Sequence, residues 1–271
     1  MIKYIRNFYY FLKVVLQQRY IIKKLVISDF QKKYLATYLG LPWAFIQPVA
    51  IILVIWFVVS IGLRGSDLAD GTPFLPWFIC GMVPWFFMRD AISGSANSLI
   101  EFSFLIKKMH FRLGIIPVIK ITTNFIIHLF LTLVLIIIIA IHGYPIDLYC
   151  LQLFYYMLCA VILVTGIGWL TSSIMVFVRD IKQAIDILLT LLFWLTPILW
   201  SYTRLKGNAK LLATLNPLHY VINGYRESLI FKIWFFENPQ EMICFWSIAI
   251  LLFVSGAIIF TRLKPHFADV L

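Results

Sequence analysis

The chain of 271 residues is 62% hydrophobic and 13% charged, against roughly 45–50% and 25% in a soluble domain. Even a large soluble core leaves about a quarter of the unfolded surface wet, so soluble, disordered and fibrous classes are excluded and a polytopic membrane protein remains. The net charge of +11 would raise the question of nucleic acid in a soluble chain; here a bias of Lys and Arg toward the cytoplasmic side accounts for it, and no nucleic-acid partner is expected.

Residues 1–41 scatter Lys3, Arg6, Lys13, Arg19, Lys23, Lys24, Lys32 and Lys33 along the segment, with Phe8, Phe11, Leu12 and Val15 interleaved among the first of them. A secretory signal would instead follow one basic cluster with an apolar core. The pattern predicts an amphipathic helix in the inner membrane surface. Six stretches of about the 20 apolar residues that a spanning helix needs follow, at 42–63, 74–100, 115–141, 149–178, 184–202 and 240–261. Residues 203–239 are too long for a turn and too broken for a span, and are expected to form re-entrant helices at the outer face. Residues 262–271 make a cytoplasmic tail. The expected fold is therefore an all-α integral membrane protein with six transmembrane helices in residues 42–261. With the N-terminus inside, the inner segments hold 16 Lys and Arg and the outer ones 6, which places both termini in the cytoplasm.

Ionisable side chains inside a span are expensive and mark functional sites. On the second span Arg89, Ser93 and Asn97 recur every four residues, with Asp90 alongside, and so share one helical face. The third span repeats the device with Lys120, Asn124, His128 and Thr132; the fifth carries Asp186, Thr190 and Trp194 before Pro197. Such faces can enclose a polar conduit, or they can hydrogen-bond helices to one another. Aromatic residues make up 17% of the chain. They fit an interfacial belt or a path on which flat rings stack against sugar faces. The candidate substrate path comprises Arg89, Asp90, Ser93, Asn97, Trp85, Phe86, Trp194 and Tyr202.

The inner loop at about 101–116, EFSFLIKKMHFRLGII, alternates Lys107, Lys108 and Arg112 with Phe102, Phe104, Leu105, Met109 and Phe111. That suits a helix docking into a partner's groove or lying on anionic lipid. No GxxxxGK[ST] loop is present to hydrolyse a nucleotide. Cys80, Cys150, Cys159 and Cys244 follow no metal or disulfide pattern. The His142 to Asp147 spacing, found in some acyltransferases, arises easily by chance. No catalytic residue, metal or cofactor is expected in this chain.

Several segments carry a resemblance: YLGLPWAFIQP (38–48), GMVPWFF (81–87), IKKMHFRLGIIP (106–117), FVRDIKQ (177–183), LTPILW (195–200), LNPLHYVINGYRESLI (215–230) and the closing FADVL (267–271). Over nearly the whole chain these resemble the permease subunits of type-2 ABC exporters, within them the branch that exports O-antigen, capsule-type and teichoic-acid polymers. The resemblance implies a homodimer in the cytoplasmic (inner) membrane, with two copies of a separate ATPase subunit binding ATP and Mg. It puts Lys107, Lys108, Met109, His110, Phe111 and Arg112 in a coupling helix that grips the ATPase, and the outer segment 203–239 in gate helices. The implied substrate is a polyprenyl-pyrophosphate-linked polysaccharide, whose head group Arg19, Lys23, Lys24, Lys32 and Lys33 would attract by charge. Arg89 and Asp90 stand where the family is expected to carry small or uncharged polar residues, so their role is not inherited from it. Two other classes remain open. One is a secondary transporter; the other is a membrane-embedded transferase on lipid-linked sugars, which would need an acid/base constellation that is not apparent.

Overall fold

The computed structural model describes residues 19–35, 40, 42–59, 71–108, 112–201, 207 and 213–271, and among these no strand occurs. The helices are α1 (Arg19–Phe30), continued by a π-helical turn at Gln31–Leu35, then α2 (Trp43–Phe57), α3 (Phe74–Glu101) and the short α4 (Ser103–Lys108). α5 (Ile115–Ile141), α6 (Gln152–Met175), α7 (Ile181–Leu195) and α8 (Pro217–Arg226) follow; a π-helical turn at Glu227–Phe231 extends α8. α9 (Pro239–Leu263) and α10 (Phe267–Val270) close the chain.

Among the described residues, three helical segments have the length and apolarity to cross a bilayer: Ile115–Ile141, Leu148–Met175 and Pro239–His266. Their apolar sequences form helices because lipid offers backbone groups no other partners. α2 is apolar but shorter in the described residues. α7 ends at Leu195, seven residues before the expected boundary at 202. The stop is local: Thr196 precedes Pro197 and is extended (ψ 137°), since the proline ring disfavours helical geometry in the residue before it.

α3 is the centre of the packing. From Phe74 to Met88 every residue but Leu75 is buried, and the helix touches α2, α5, α6, α7 and α8. Other helices turn apolar faces outward, among them α5 with Phe130 and Leu133 and α9 with Leu251 and Val254. Such faces would be a liability in water and suit lipid. A second cluster, where α3 ends and α5 begins, joins Leu99, Phe102, Leu113, Trp169 and Phe260 to Phe267 of α10, which is fully buried.

α6 and α9 cross at two glycines. A Cβ on Gly166 would lie 2.6 Å from the Phe253 Cα, and one on Gly256 would lie 2.3 Å from the Gly166 carbonyl oxygen. Neither backbone can yield without parting the helices, which is the role small residues play at intramembrane crossings. Gly166→Ala and Gly256→Ala are therefore each expected to destabilise by about 1–3 kcal/mol, as overpacking does, read as a lowered Tm in detergent. Gly94→Ala, whose Cβ meets Asn124 at an ordinary 3.6 Å, should leave Tm unchanged.

Candidate functional site

α2, α3 and α7 enclose an open groove of about 480 Å³. One turn apart on α3, Arg89 and Ser93 face it with Asp90; Asp186 and Thr190 face it from α7. Ser93 Oγ donates to Asp186 Oδ1 at 2.8 Å, and Thr190 Oγ1 donates back to the Asp186 carbonyl at 2.8 Å. The Arg89 Nε donates to Asp90 Oδ1 at 2.9 Å, and its guanidinium lies 5.5 Å from the Phe86 ring centre. Both side chains of this pair are about one-third exposed (34% and 37%), so the charges remain open to solvent from the groove and screen each other only weakly. Adjacent helical residues point about 100° apart; the length of the arginine stem lets the two converge. The groove wall beyond them is apolar, with Ile51 and Ile55 of α2 opposite Phe193.

The other path candidates divide. Trp85 and Phe86 border the groove but are almost fully buried, Trp85 with its ring centre 5.5 Å from that of Phe193. Asn97, one turn beyond Ser93, is turned to Glu101 Oε1 at 2.6 Å and lies outside the groove lining. Trp194 is 63% exposed on the apolar face of α7. Tyr202 lies outside the described residues. On α5 the polar stripe ties helices together: His128 Nε2 and the Tyr225 hydroxyl are 2.7 Å apart, and Asn124 Nδ2 donates to the Asp90 carbonyl at 3.3 Å.

Of the basic head-group candidates, Arg19 begins α1, and Lys23, Lys24 and Lys32 are exposed. Lys33 differs. Its stem is exposed while its ammonium turns inward to Asn124 Oδ1 at 2.9 Å. Burial lowers its pKa from the ordinary lysine value, with Asp90 and Asp29 pulling the other way. A small cavity of about 50 Å³ joins Lys33 to Gln47, Arg89, Asp90 and Asn124, so a surface-segment lysine and the α3 ion pair share one wall. Of the coupling candidates, Lys107 and Lys108 end α4, Arg112 is half-buried, and Met109, His110 and Phe111 lie outside the described residues. The apolar residues of that loop split, Phe102 and Leu113 buried and Phe104 63% exposed. Among the described residues no three His, Cys, Asp or Glu converge as metal ligands.

Sequence reasoning overlooked Arg226. It is 1% exposed, and its guanidinium donates to three carbonyls: Trp77 (3.3 Å), Pro197 (2.7 Å) and Ile198 (3.0 Å). The indole of Trp77 lies against it, 3.5 Å from ring centre to Cζ. Gly81 makes the room, since a Cβ there would sit 2.7 Å from Nη2. Beside it Glu227 is 7% exposed and accepts from Asn223 (2.8 Å), Tyr156 (3.3 Å) and Asn238 (3.4 Å). The start of this helix was legible: Asn216 caps Leu218 N at 3.0 Å and Pro217 takes the first position, as helix starts prefer. The burial of its end was not, because a basic residue in a broken segment reads as solvated.

Comparison with known proteins identifies the lineage. The profile of the ABC-2 type transporter family matches residues 20–230. The chain is 22% identical to an O-antigen export system permease protein RfbA of Myxococcus xanthus, over 99% of both chains. It is 24% and 25% identical to two proteins of that name from Klebsiella pneumoniae, over 90% of this chain and 92% of theirs.

The Arg226 cage carries its own prediction. Each buried carbonyl left without a donor costs about 1–3 kcal/mol, so Arg226→Met should lower Tm in detergent sharply. Arg226→Lys should fall between the two, because an ammonium lacks the planar fork that spans three acceptors and stacks on an indole. A wild-type Tm for Arg226→Met would dismiss the cage as a source of stability.

Proposed function

The chain belongs to the ABC-2 type transporter family, and from that premise we propose that it is the channel-forming permease of an ATP-driven exporter for a polyprenyl-pyrophosphate-linked polysaccharide. It is a membrane-embedded transport permease rather than an enzyme. The names of its relatives support O-antigen as the cargo ahead of teichoic acid or capsule-type glycan. The observation that carries the reading is the groove between α2, α3 and α7. It sets Arg89, Asp90, Ser93 and Asp186 against an otherwise apolar wall, and charge at that depth is tolerated where water or a polar cargo meets it.

In this reading α2, α3, α5, α6, α7 and α9 are the six spans, and α8 is re-entrant from the outer side. Both termini are cytoplasmic. Two copies face each other so that their grooves close into one conduit, which also covers the exposed Leu53 and Val54 of α2 and Leu188 and Leu191 of α7. Two ATPase subunits bind Mg-ATP and grip α4 and the residues after it, and their closure shifts the dimer between states. The basic residues of α1 and its π-helical turn draw in the pyrophosphate, with about 1 kcal/mol of attraction per charge near the surface. Lys33, in that π-helical turn, shares a cavity with Arg89 and so links the surface segment to the groove.

The direct test reconstitutes the permease with its ATPase in liposomes and follows a labelled lipid-linked O-antigen to the opposite leaflet. ATP-dependent transfer is expected. Transfer by the permease alone on an ion gradient would make it a secondary transporter, and glycan turnover by the chain alone would make it a transferase.

Two further outcomes are specific. Reversing Lys107, Lys108 and Arg112 together to Glu should reduce co-purification with the ATPase by about tenfold or more, through like-charge contacts at the docking helix; an undiminished complex would remove the loop from that interface. Arg89→Leu should assemble normally but export roughly tenfold less, the loss that about 1.4 kcal/mol implies. In a chain whose four cysteines are first replaced, Arg89→Cys should react with a membrane-impermeant thiol reagent once the conduit opens. Wild-type export by Arg89→Leu, with no labelling in any nucleotide state, would leave the pair a structural feature of α3.

A further inference from the structure

At the inner end of the molecule a single lysine joins three elements. Lys120 of α5 bonds Asp29 Oδ1 of α1 at 2.5 Å, and it also pairs with Glu101, the last residue of α3. Glu101 is separated from α4 by Phe102 alone. The Phe102 ring sits under two ammonium groups, Lys120 at 5.5 Å and Lys32 at 5.9 Å. One turn further along α5, Lys33 bonds Asn124, whose Nδ2 donates to the Lys120 carbonyl at 2.9 Å.

The two arms of this junction are unequal. The Asp29 side chain is 5% exposed and that of Lys120 is 13% exposed, whereas that of Glu101 is 43% exposed. A carboxylate as dry as Asp29 cannot exchange its cation for water without stranding a buried charge. Glu101 can: water reaches it, and Asn97 already holds its other oxygen at 2.6 Å. The Lys120–Asp29 arm is thus a permanent clamp and the Lys120–Glu101 arm a breakable one.

We infer that Lys120 is a positioning residue for transport, and that its pair with Glu101 is a latch joining α4 to the platform of α1 and α5 that presents Lys32 and Lys33. The inference rests on the permease reading, in which α4 meets the ATPase. Displacement of α4 pulls directly on Glu101. With the latch closed, α1 moves with α4; with it open, α4 moves alone and the basic surface segment stays behind. The latch therefore determines whether work done on α4 reaches the segment that meets the lipid head group.

Two measurements test this. In nanodiscs holding the permease with its four native cysteines replaced, spin labels at Ile27→Cys and Phe104→Cys, both exposed positions, report the distance from α1 to α4. One narrow distance distribution is expected with Glu101 intact and a broad one with Glu101→Gln. In the reconstituted complex Glu101→Gln should retain ATP hydrolysis and assembly while glycan moved per ATP falls at least about fivefold, a ratio that simple destabilisation does not change. Lys120→Met by itself should lower the yield of folded protein, since it strands Asp29. Lys120→Met with Asp29→Asn should restore yield but not the transport-to-ATP ratio, and Lys120→Arg should preserve both. Unchanged distances in Glu101→Gln would overturn the latch, as would an unchanged ratio in the double variant. Absence of ATP-dependent transport in the unsubstituted complex would instead overturn the permease reading, and the label distances would still decide the latch.

Discussion

A helix that stops inside a bilayer leaves carbonyl groups facing a medium with nothing to donate to them. α7 stops at Thr196–Pro197 inside the packed molecule, where its carbonyls face the same need, and Arg226 supplies the donors for the Pro197 and Ile198 carbonyls. The same guanidinium reaches back to the Trp77 carbonyl at the start of α3. One side chain thereby fixes three chain segments relative to one another. The surrounding architecture accommodates it: Gly81 leaves space for the guanidinium, and Trp77 offers an aromatic face to a cation removed from water. α8 is further held by Tyr225 on His128 and by Glu227 on Tyr156. A short helix in a segment of mixed polarity is stable there because the buried Asn223, Tyr225, Arg226 and Glu227 at its C-terminal end all have partners.

The break in α7 also shapes the groove. With α7 anchored at its end, Asp186 and Thr190 are set opposite Ser93 and Arg89, and α3 is sealed on its remaining sides by α5, α6 and α8. Polar residues in the helices consequently serve two distinct ends. His128 bonds Tyr225 of α8, and Asn124 reaches the Asp90 carbonyl of α3 besides the Lys120 carbonyl of its own helix; bonds between helices are the use that lipid surroundings favour. Arg89, Asp90 and Asp186 keep a partly open face toward the groove, the condition under which a proposed conduit can meet a hydrophilic cargo. Where α3 ends and α5 begins, the ionic junction at Lys120 and the aromatic cluster around Phe102 and Phe267 tie α1, α4 and the C-terminal helix to one base.

Composition and hydropathy alone establish a membrane-embedded, all-helical chain, and the segments expected at 115–141, 149–178 and 240–261 coincide with helices to within a few residues. The four-residue recurrence on α3 also identified part of the groove, because helical periodicity translates directly into a shared face. It failed at Asn97, where Glu101 one turn away offers a closer partner, and at Trp85 and Phe86, which packing against neighbouring helices buries. Asp186 was visible as an acid within an apolar run, but its alignment with Ser93 across 93 residues of chain was not. Hydropathy weighs each residue against lipid or water and needs no knowledge of its neighbours, so it sorts spans from loops dependably. Arg226 fails that test, since its environment is made by carbonyls 28, 29 and 149 residues distant. Such a cage comes into being only when distant segments pack, because a buried charge is tolerable only once every one of its partners has arrived.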